Sequence, residues 1–204
     1  MEIVVVDDCS KDNSFEALER YILASPYPIR LFRHPVNRGK GGAVKTGIEK
    51  AAGNVILIQD ADLELSPSDI PTMLCAMHEL KVGFINGSRY MPGVNRPLAS
   101  LKRYLANKLF TLLTSVFVDV HLTDMACGYK LISKELLSKI QLREERFGIE
   151  AELIIKAIRI KRNNIAEVPV KYFPRNKGGG KKLRNIDGVK VLYTIFKYGL
   201  LKLK

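Results

Sequence analysis

The chain has 204 residues, 47% of them hydrophobic, with 3 cysteines and a formal net charge of +12, which suits one well-filled domain and excludes a disordered segment. Cys9, Cys75 and Cys127 stand far apart without CxxC or His-rich spacing, so neither a disulfide framework nor a zinc site is suggested and a reducing cytosol is the expected setting. The charge is uneven, with 11 basic and 12 acidic side chains in residues 1–100 against 22 and 9 in residues 101–204, so the second half is expected to face a polyanion or an anionic lipid surface.

In chain order, strand-like and helix-like patterns alternate. Residues 2–6 are a β-branched run ending at Asp7-Asp8, and after the turn-rich CSKDNS segment Phe15, Leu18 and Ile22 recur at helical spacing. Residues 29–32 read as a second strand. The glycine-rich turn 37–42 opens a helix with Val44, Ile48 and Ala51 on one face, and residues 55–58 form a third strand. Ser66-Pro67 caps a further helix, and the strand at 82–86 runs into Gly87-Ser88-Arg89. A loop through Pro97 leads to a long helix at about 101–118. There follow a strand and helix around 129–140, a helix near 149–161, a strand at 165–172, a lysine- and glycine-rich stretch at 175–182, and a last helix from about 186. Repeated βα units predict an α/β fold with a mostly parallel sheet, helices on both faces and ligands beyond the carboxyl ends of the strands. Asp7, Asp8, Asp60 and Arg89 fall at such ends. No repeat or linker divides the chain, so residues 1–204 are expected to form one domain.

The densest acidic signal is Asp60-Ala61-Asp62-Leu63-Glu64, directly after the third strand. Alternate side chains of an extended chain point the same way, so Asp60, Asp62 and Glu64 are expected to converge on one hard divalent cation, Mg2+ or Mn2+, that neutralises a departing diphosphate. A solvated turn with helix-capping acids is the competing reading of such a triplet taken alone. Arg89 suits phosphate because its guanidinium matches phosphate geometry, with a structural ion pair as the alternative.

Together with VVVDDCSKDNS and NRGKGGAVKTG, the triplet resembles glycosyltransferase family 2, in its dolichol-phosphate mannosyltransferase-like and polyprenyl-phosphate glycosyltransferase branch. The resemblance extends to Asn37, Gly39, Lys40, Gly41 and Ala43, to Leu122-Thr123-Asp124 with Cys127-Gly128-Tyr129-Lys130, to Arg146-Phe147-Gly148 with Glu150 and Glu152, and to Glu167-Val168-Pro169-Val170. It implies a GT-A, Rossmann-like fold. It also implies inverting, metal-dependent transfer of a hexose from a nucleotide-sugar donor, of the GDP-mannose or UDP-glucose type, to a dolichyl or undecaprenyl phosphate. By resemblance, Asp7, Asp8, Lys40 and Asp60 serve the donor, joined by Arg175 and Lys181 of a basic loop. Asp60, Asp62 and Glu64 hold the metal, Arg89, Arg103 and Asp124 serve the acceptor phosphate, and Asp62, Arg89 and Glu152 form the catalytic set. Glu150 and Glu152 lie two apart on a helix, so only one of them is expected to point into the site.

Two departures from the family pattern stand out. The usual first strand is expected to be lacking, because the chain starts after the point where that strand would lie. Cys9 occupies a position where relatives often carry glycine, and a backbone that favours glycine there makes cysteine costlier. An acceptor phosphate has a second pKa of about 6 and is largely dianionic at neutral pH, so its oxygen attacks without a general base and catalysis falls to positioning and charge.

In helix 101–118, Leu101, Leu105, Leu109, Leu112, Leu113, Val116 and Phe117 occupy one half, and Arg103, Tyr104, Asn107, Lys108, Thr111, Thr114 and Ser115 the other. In the last helix Val189, Leu192, Tyr193, Phe196, Leu200 and Leu203 share an arc, with Lys190, Lys197 and Lys204 on another. Core packing explains either stripe, and so does an interfacial helix of the family held at a membrane by apolar insertion and basic charge. No apolar run reaches the roughly 18 residues of a membrane span, and no signal peptide is apparent. The expected location is therefore peripheral, at the cytoplasmic membrane face, where a separate membrane-anchoring subunit is an admissible partner. Nucleic acid is not expected, since aromatic residues do not interleave with the basic cluster. Two other readings are a family 2 enzyme with a saccharide acceptor and a phosphoacceptor receiver domain, whose acidic pair, lone aspartate and serine would be Asp7-Asp8, Asp60 and Ser88.

Overall fold

The computed structural model describes residues 1–92, 100–174 and 185–201. Its β-branched runs form β1 (Ile3–Asp7), β2 (Ile29–Arg33), β3 (Val55–Ile58), β4 (Phe84–Ser88), β5 (Lys130–Ser133) and β6 (Ile165–Pro169). The helices are α1 (Ser14–Ala24), α2 (Gly39–Lys50), α3 (Ile70–Glu79), α4 (Leu101–Val118), α5 (Lys134–Leu137), α6 (Ile149–Ile160) and α7 (Asn185–Gly199). Short 3-10 turns at Pro67–Asp69 and Arg162–Asn164 precede α3 and β6. The Ser66 hydroxyl accepts from the Ser68 amide, with Pro67 at the first helical position, so the predicted cap is formed.

β1 and β2 pair in parallel, from Ile3 opposite Ile29 to Asp7 opposite Arg33. The other strands form a sheet in the order β3-β5-β4-β6, with β4 and β6 parallel and β5 antiparallel to both its neighbours. Three of these four strands therefore share one direction, and the parallel-rich α/β expectation holds with β5 as the reversed strand. Among the described residues β1 and β3 do not pair, so the strands fall into a two-stranded and a four-stranded part.

Alternation along β4 and β5 sends side chains to opposite faces and divides the core. Phe84 and Ile132 join Leu153, Ile154, Ile158, Ile195 and Tyr198 beneath α6 and α7. Ile85 and Leu131 join Met73 and Met77 of α3 with Val168 of β6 on the other side. α1 has no buried residue; its Phe15, Leu18 and Ile22 are half-buried.

Helix α4 packs Phe110, Leu113, Phe117 and Val118 against the core but turns polar side chains inward beside them and a strip of leucines outward. Its buried positions are Asn107, Thr111, Thr114 and Val118, whereas Leu101, Leu105, Leu109, Leu112 and Val116 are between 49% and 67% exposed. Hydrogen bonds make the polar interior affordable: Thr111 Oγ1 donates to Asn107 Oδ1, Thr114 to the Phe110 carbonyl, and Ser115 to the Thr111 carbonyl. The arc of α7 is similarly open at Val189, Tyr193, Phe196 and Leu200. The two helices meet where the Phe117 and Phe196 rings pack at a tilt of 60° with centroids 5.2 Å apart, so their apolar surfaces adjoin. Lys197, on the basic arc of α7, is bonded at 2.8 Å to Glu144, which also accepts from the Tyr198 hydroxyl. No described helix is long and apolar enough to cross a membrane.

Candidate functional site

The loops that leave β1, β3 and β4 carry the predicted residues. Asp7 is buried and paired with Arg33 at 3.3 Å. The Asp8 carboxylate accepts from the Arg38 and Gly39 amides at 2.8 and 2.7 Å and from the Asn37 side chain at 2.8 Å, and it meets His34 Nδ1 at 2.7 Å. It thereby anchors the turn that starts α2, and His34 is fixed on its other side by Thr46 at 2.9 Å. Cys9 has φ 60°, the left-handed conformation that favours glycine, as expected for this position.

The glycine-rich turn lies against residues 144–146. A Cβ on Gly41 would stand 2.4 Å from the Glu144 carbonyl oxygen, and the Gly42 amide donates to the Glu145 carbonyl at 2.9 Å. This close approach requires glycine and aims Lys40 into the cleft. Lys40 Nζ donates to Asp60 Oδ2 at 2.7 Å and to Glu150 Oε1. Burial alone would lower the Lys40 pKa, but the charges of Glu150 and Asp60 outweigh it and hold the ammonium above its ordinary value. Asp60 in turn rests against backbone, since a Cβ on Gly128 would come within 2.4 Å of its Oδ2.

The three carboxylates after β3 do not converge as expected. Among the described residues no three acidic, histidine or cysteine side chains form a cluster able to hold a metal ion. The physical reason is local: the chain turns after Asp60, Leu63 takes φ 61°, and Asp62 Oδ1 accepts from the Glu64 amide at 3.1 Å. The alternation argument applies to extended chain and fails in such a turn. The Glu64 carbonyl accepts from the Phe173 amide at 2.9 Å, which brings the segment after β6 alongside.

A second correction concerns Glu152. It is fully buried and accepts from the Arg143 and Glu144 amides at 2.9 and 2.8 Å and from Lys156 at 2.8 Å. Its carboxylate braces the 143–144 turn rather than reaching the cleft. Glu150, two residues earlier on α6 and so turned by about 200°, is the acid that meets Lys40.

Arg89 follows β4 and forms a bidentate pair with Asp124, Nε to Oδ2 at 2.7 Å and Nη2 to Oδ1 at 2.9 Å. Asp124, expected at the acceptor phosphate, is fully buried and also accepts from Asn107 of α4 at 2.9 Å. It acts on Arg89, since a carboxylate repels a phosphate. Burial alone would raise the Asp124 pKa, but the Arg89 charge and the hydrogen bonds from Arg89 and Asn107 hold it below its ordinary value. Arg89 lies 5.3 Å from the Tyr172 ring and 5.5 Å from that of Tyr90, so its outer face is lined with aromatic carbon. Burial raises the Tyr172 pKa and Glu64 adds to the effect, with Arg89 and Arg103 opposing it. Tyr172 thus bridges to Leu65 after the acidic loop and meets Arg89 across its ring, and Arg103 is exposed. Arg175 and Lys181 lie outside the described residues.

Beneath Arg89 is a polar network that joins Thr123, Lys130 and Glu167 of the matched motifs to Asn86, which pattern reading did not single out. Buried Asn86 donates to the Asp124 carbonyl and to Glu167 Oε1, both at 2.9 Å. Glu167 Oε2 holds the Thr123 amide and hydroxyl at 2.7 and 2.8 Å. Buried Lys130 donates to Asn86 Oδ1, the Met125 carbonyl and the Cys127 carbonyl at 2.9, 3.1 and 2.7 Å, and its burial pushes its pKa down. The available signal was polar side chains at inward positions of β4, β5 and β6.

Residues 1–141 match the family described as glycosyl transferase family 2. The chain is 31% identical over 182 residues to a dolichol-phosphate mannosyltransferase of Pyrococcus furiosus, covering 88% of this chain and 50% of that protein. It is 33% identical over 180 residues to a dolichyl-phosphate beta-glucosyltransferase of Dictyostelium discoideum, covering 84% and 54%. The chain thus spans about half the length of these curated relatives. Among solved structures it resembles glucosyl-3-phosphoglycerate synthase from Mycobacterium tuberculosis in complex with Mn2+, uridine diphosphate and glucosyl-3-phosphoglycerate. The TM-score is 0.72 at 19% identity over 97% of this chain and 68% of that one, a likeness of fold alone.

Proposed function

This chain belongs to glycosyl transferase family 2, and on that premise we propose that it transfers a hexose, with inversion, from a nucleotide sugar to a polyprenyl phosphate at the cytoplasmic face of a membrane. The relatives named for dolichyl-phosphate mannosyl and glucosyl transfer support the acceptor class. The observation that carries the reading is the orientation of α4, whose Leu101, Leu105, Leu109 and Leu112 face outward while Asn107 on its inner side bonds the Asp124 that orients Arg89. A lipid lying along the outer face would leave its phosphate near Arg89 and Arg103. A saccharide acceptor gives those outward leucines no role, and family membership displaces the receiver-domain reading.

A divalent ion suits this site. Asp60 offers a hard carboxylate, 32% exposed and backed by Gly128, and Asp62 follows two residues on; the Mn2+ named with the fold neighbour is consistent with such a ligand pair. Asp60 and Asp62 would hold Mg2+ or Mn2+, which when bound offsets the charge of the diphosphate leaving group. Asp124 keeps Arg89 oriented toward the acceptor phosphate, whose dianion needs no base. Asp7 and Asp8 shape the nucleotide end through the turn before α2, with Arg175 and Lys181 assigned to the donor. Outward leucines and basic charge favour peripheral attachment, to lipid directly or through a membrane-anchoring subunit.

The test is transfer by the full-length protein from radiolabelled GDP-mannose, UDP-glucose and UDP-GlcNAc to polyprenyl phosphate with MnCl2 or MgCl2. Label is expected in the lipid phase for one donor, and loss of that label with Asp62→Ala. Label appearing only in water-soluble saccharide would replace the lipid acceptor.

A further inference from the structure

Lys40 is the second residue of α2, where the positive end of the helix dipole disfavours a cation. It is kept there by Asp60 and Glu150, two carboxylates from distant parts of the chain that meet only at its ammonium. Lys40 is 17% exposed and Glu150 14%, while Asp60, at 32%, keeps one side open to the cleft, so bulk water screens the ammonium only partly from the two acids. The Asp60 oxygen that meets Lys40 also lies close against Gly128, where a Cβ would come within 2.4 Å of it. The cleft therefore holds a built-in positive charge on the first carboxylate of the proposed metal pair.

We propose that Lys40 is a resident counter-ion, which occupies Asp60 until a divalent cation and a nucleoside diphosphate arrive together and which then passes to the diphosphate. The inference rests on the metal-dependent reading above and adds an order to it. A cation arriving alone must displace an ammonium whose one other carboxylate partner among the described residues is Glu150, and the cation on Asp60 and the ammonium on Glu150 then stand close together with like charge. A nucleoside diphosphate supplies the missing partner for Lys40, so cation and nucleotide bind with positive coupling set by this side chain. Lys40 is in this sense a positioning residue, and its effect is visible in binding without turnover.

Free Mn2+ measured by electron paramagnetic resonance, titrated into the full chain with and without GDP or UDP, tests the proposal. The wild type is expected to bind MnCl2 weakly alone and at least tenfold more tightly with one of the nucleotides. Lys40→Met, and Lys40→Gln, which removes the charge but keeps a hydrogen-bond donor on a shorter side chain, are expected to bind MnCl2 alone at least tenfold more tightly than wild type. Both should lose most of the tightening by nucleotide. Lys40→Arg should behave as wild type, as should Lys45→Met on the same helix. A melting temperature raised more by MnCl2 in Lys40→Gln than in wild type reads the same gain if Lys40→Met folds poorly. Unchanged or weaker Mn2+ binding in both neutral variants overturns the counter-ion role while leaving the enzyme reading in place. Failure of the wild type to bind Mn2+ with either nucleotide overturns both.

Discussion

Glu150 and Glu152 are two residues apart on α6, yet they do different work. Glu152 is fully buried and holds two backbone amides and Lys156, whereas Glu150 reaches Lys40 in the cleft. Glu152→Gln keeps the shape but removes the charge that strengthens these bonds, so a stability loss of about 2 kcal/mol is expected by urea unfolding. Turnover per folded molecule should change little. Glu150→Gln is expected to leave stability nearly intact and to lower turnover by as much as about a hundredfold, through misplacement of Lys40 and the donor. The reverse pattern would return Glu152 to the catalytic set. That only one of the pair enters the site was legible from helical geometry, but which one was not, because burial depends on the packing of α6 against β5 and α7. The convergence of all three carboxylates Asp60, Asp62 and Glu64 was misjudged for a related reason: the left-handed backbone at Leu63 leaves no mark in a sequence where leucine gives no hint of a turn.

At the scale of elements, the strand and helix pattern was legible almost throughout, because β-branched runs and helical spacing are local properties. The orientation of α4 was not. Periodicity separates its apolar and polar halves but says nothing of which faces inward, and the usual rule places leucine inside. Here Asn107, Thr111, Thr114 and Ser115 find partners in one another and in the loop at 122–125, with Leu122 and Met125 amides bonded to Ser115 and Thr111. The outcome is a sharp test of the interfacial reading. Combined Leu105→Ser, Leu109→Ser and Leu112→Ser changes are expected to leave the melting temperature unchanged or higher, because these side chains are 49% to 60% exposed. Core leucines would each cost about 2–5 kcal/mol on truncation. Co-sedimentation of the triple variant with anionic vesicles should fall several-fold. Strong destabilisation would show that α4 is a core helix in solution, and undiminished sedimentation would move membrane attachment elsewhere.

Across the whole molecule, burial is distributed as unevenly as charge. In β4 all five residues are buried, and in α6 eight of twelve are. β1 has only Asp7 buried, β2 has no buried residue, and α1 has none. The part proposed to shape the nucleotide pocket is therefore the loosely built part, joined to the four-stranded sheet through α2 and the 144–146 segment rather than by strand pairing. Local opening follows the density of buried apolar contact. Amide hydrogen exchange is thus expected to be about a hundredfold or more faster across residues 3–33 than in β4, β5 and α6. Under the proposed reading, MnCl2 with the preferred nucleoside diphosphate should slow exchange in residues 3–40, because Asp8 ties β1 to the turn bearing Lys40. Equal protection of both parts without ligand would contradict the packing argument. Protection by ligand confined to α4 and α7 would move the nucleotide away from β1 and leave Asp7 and Asp8 with a purely architectural role.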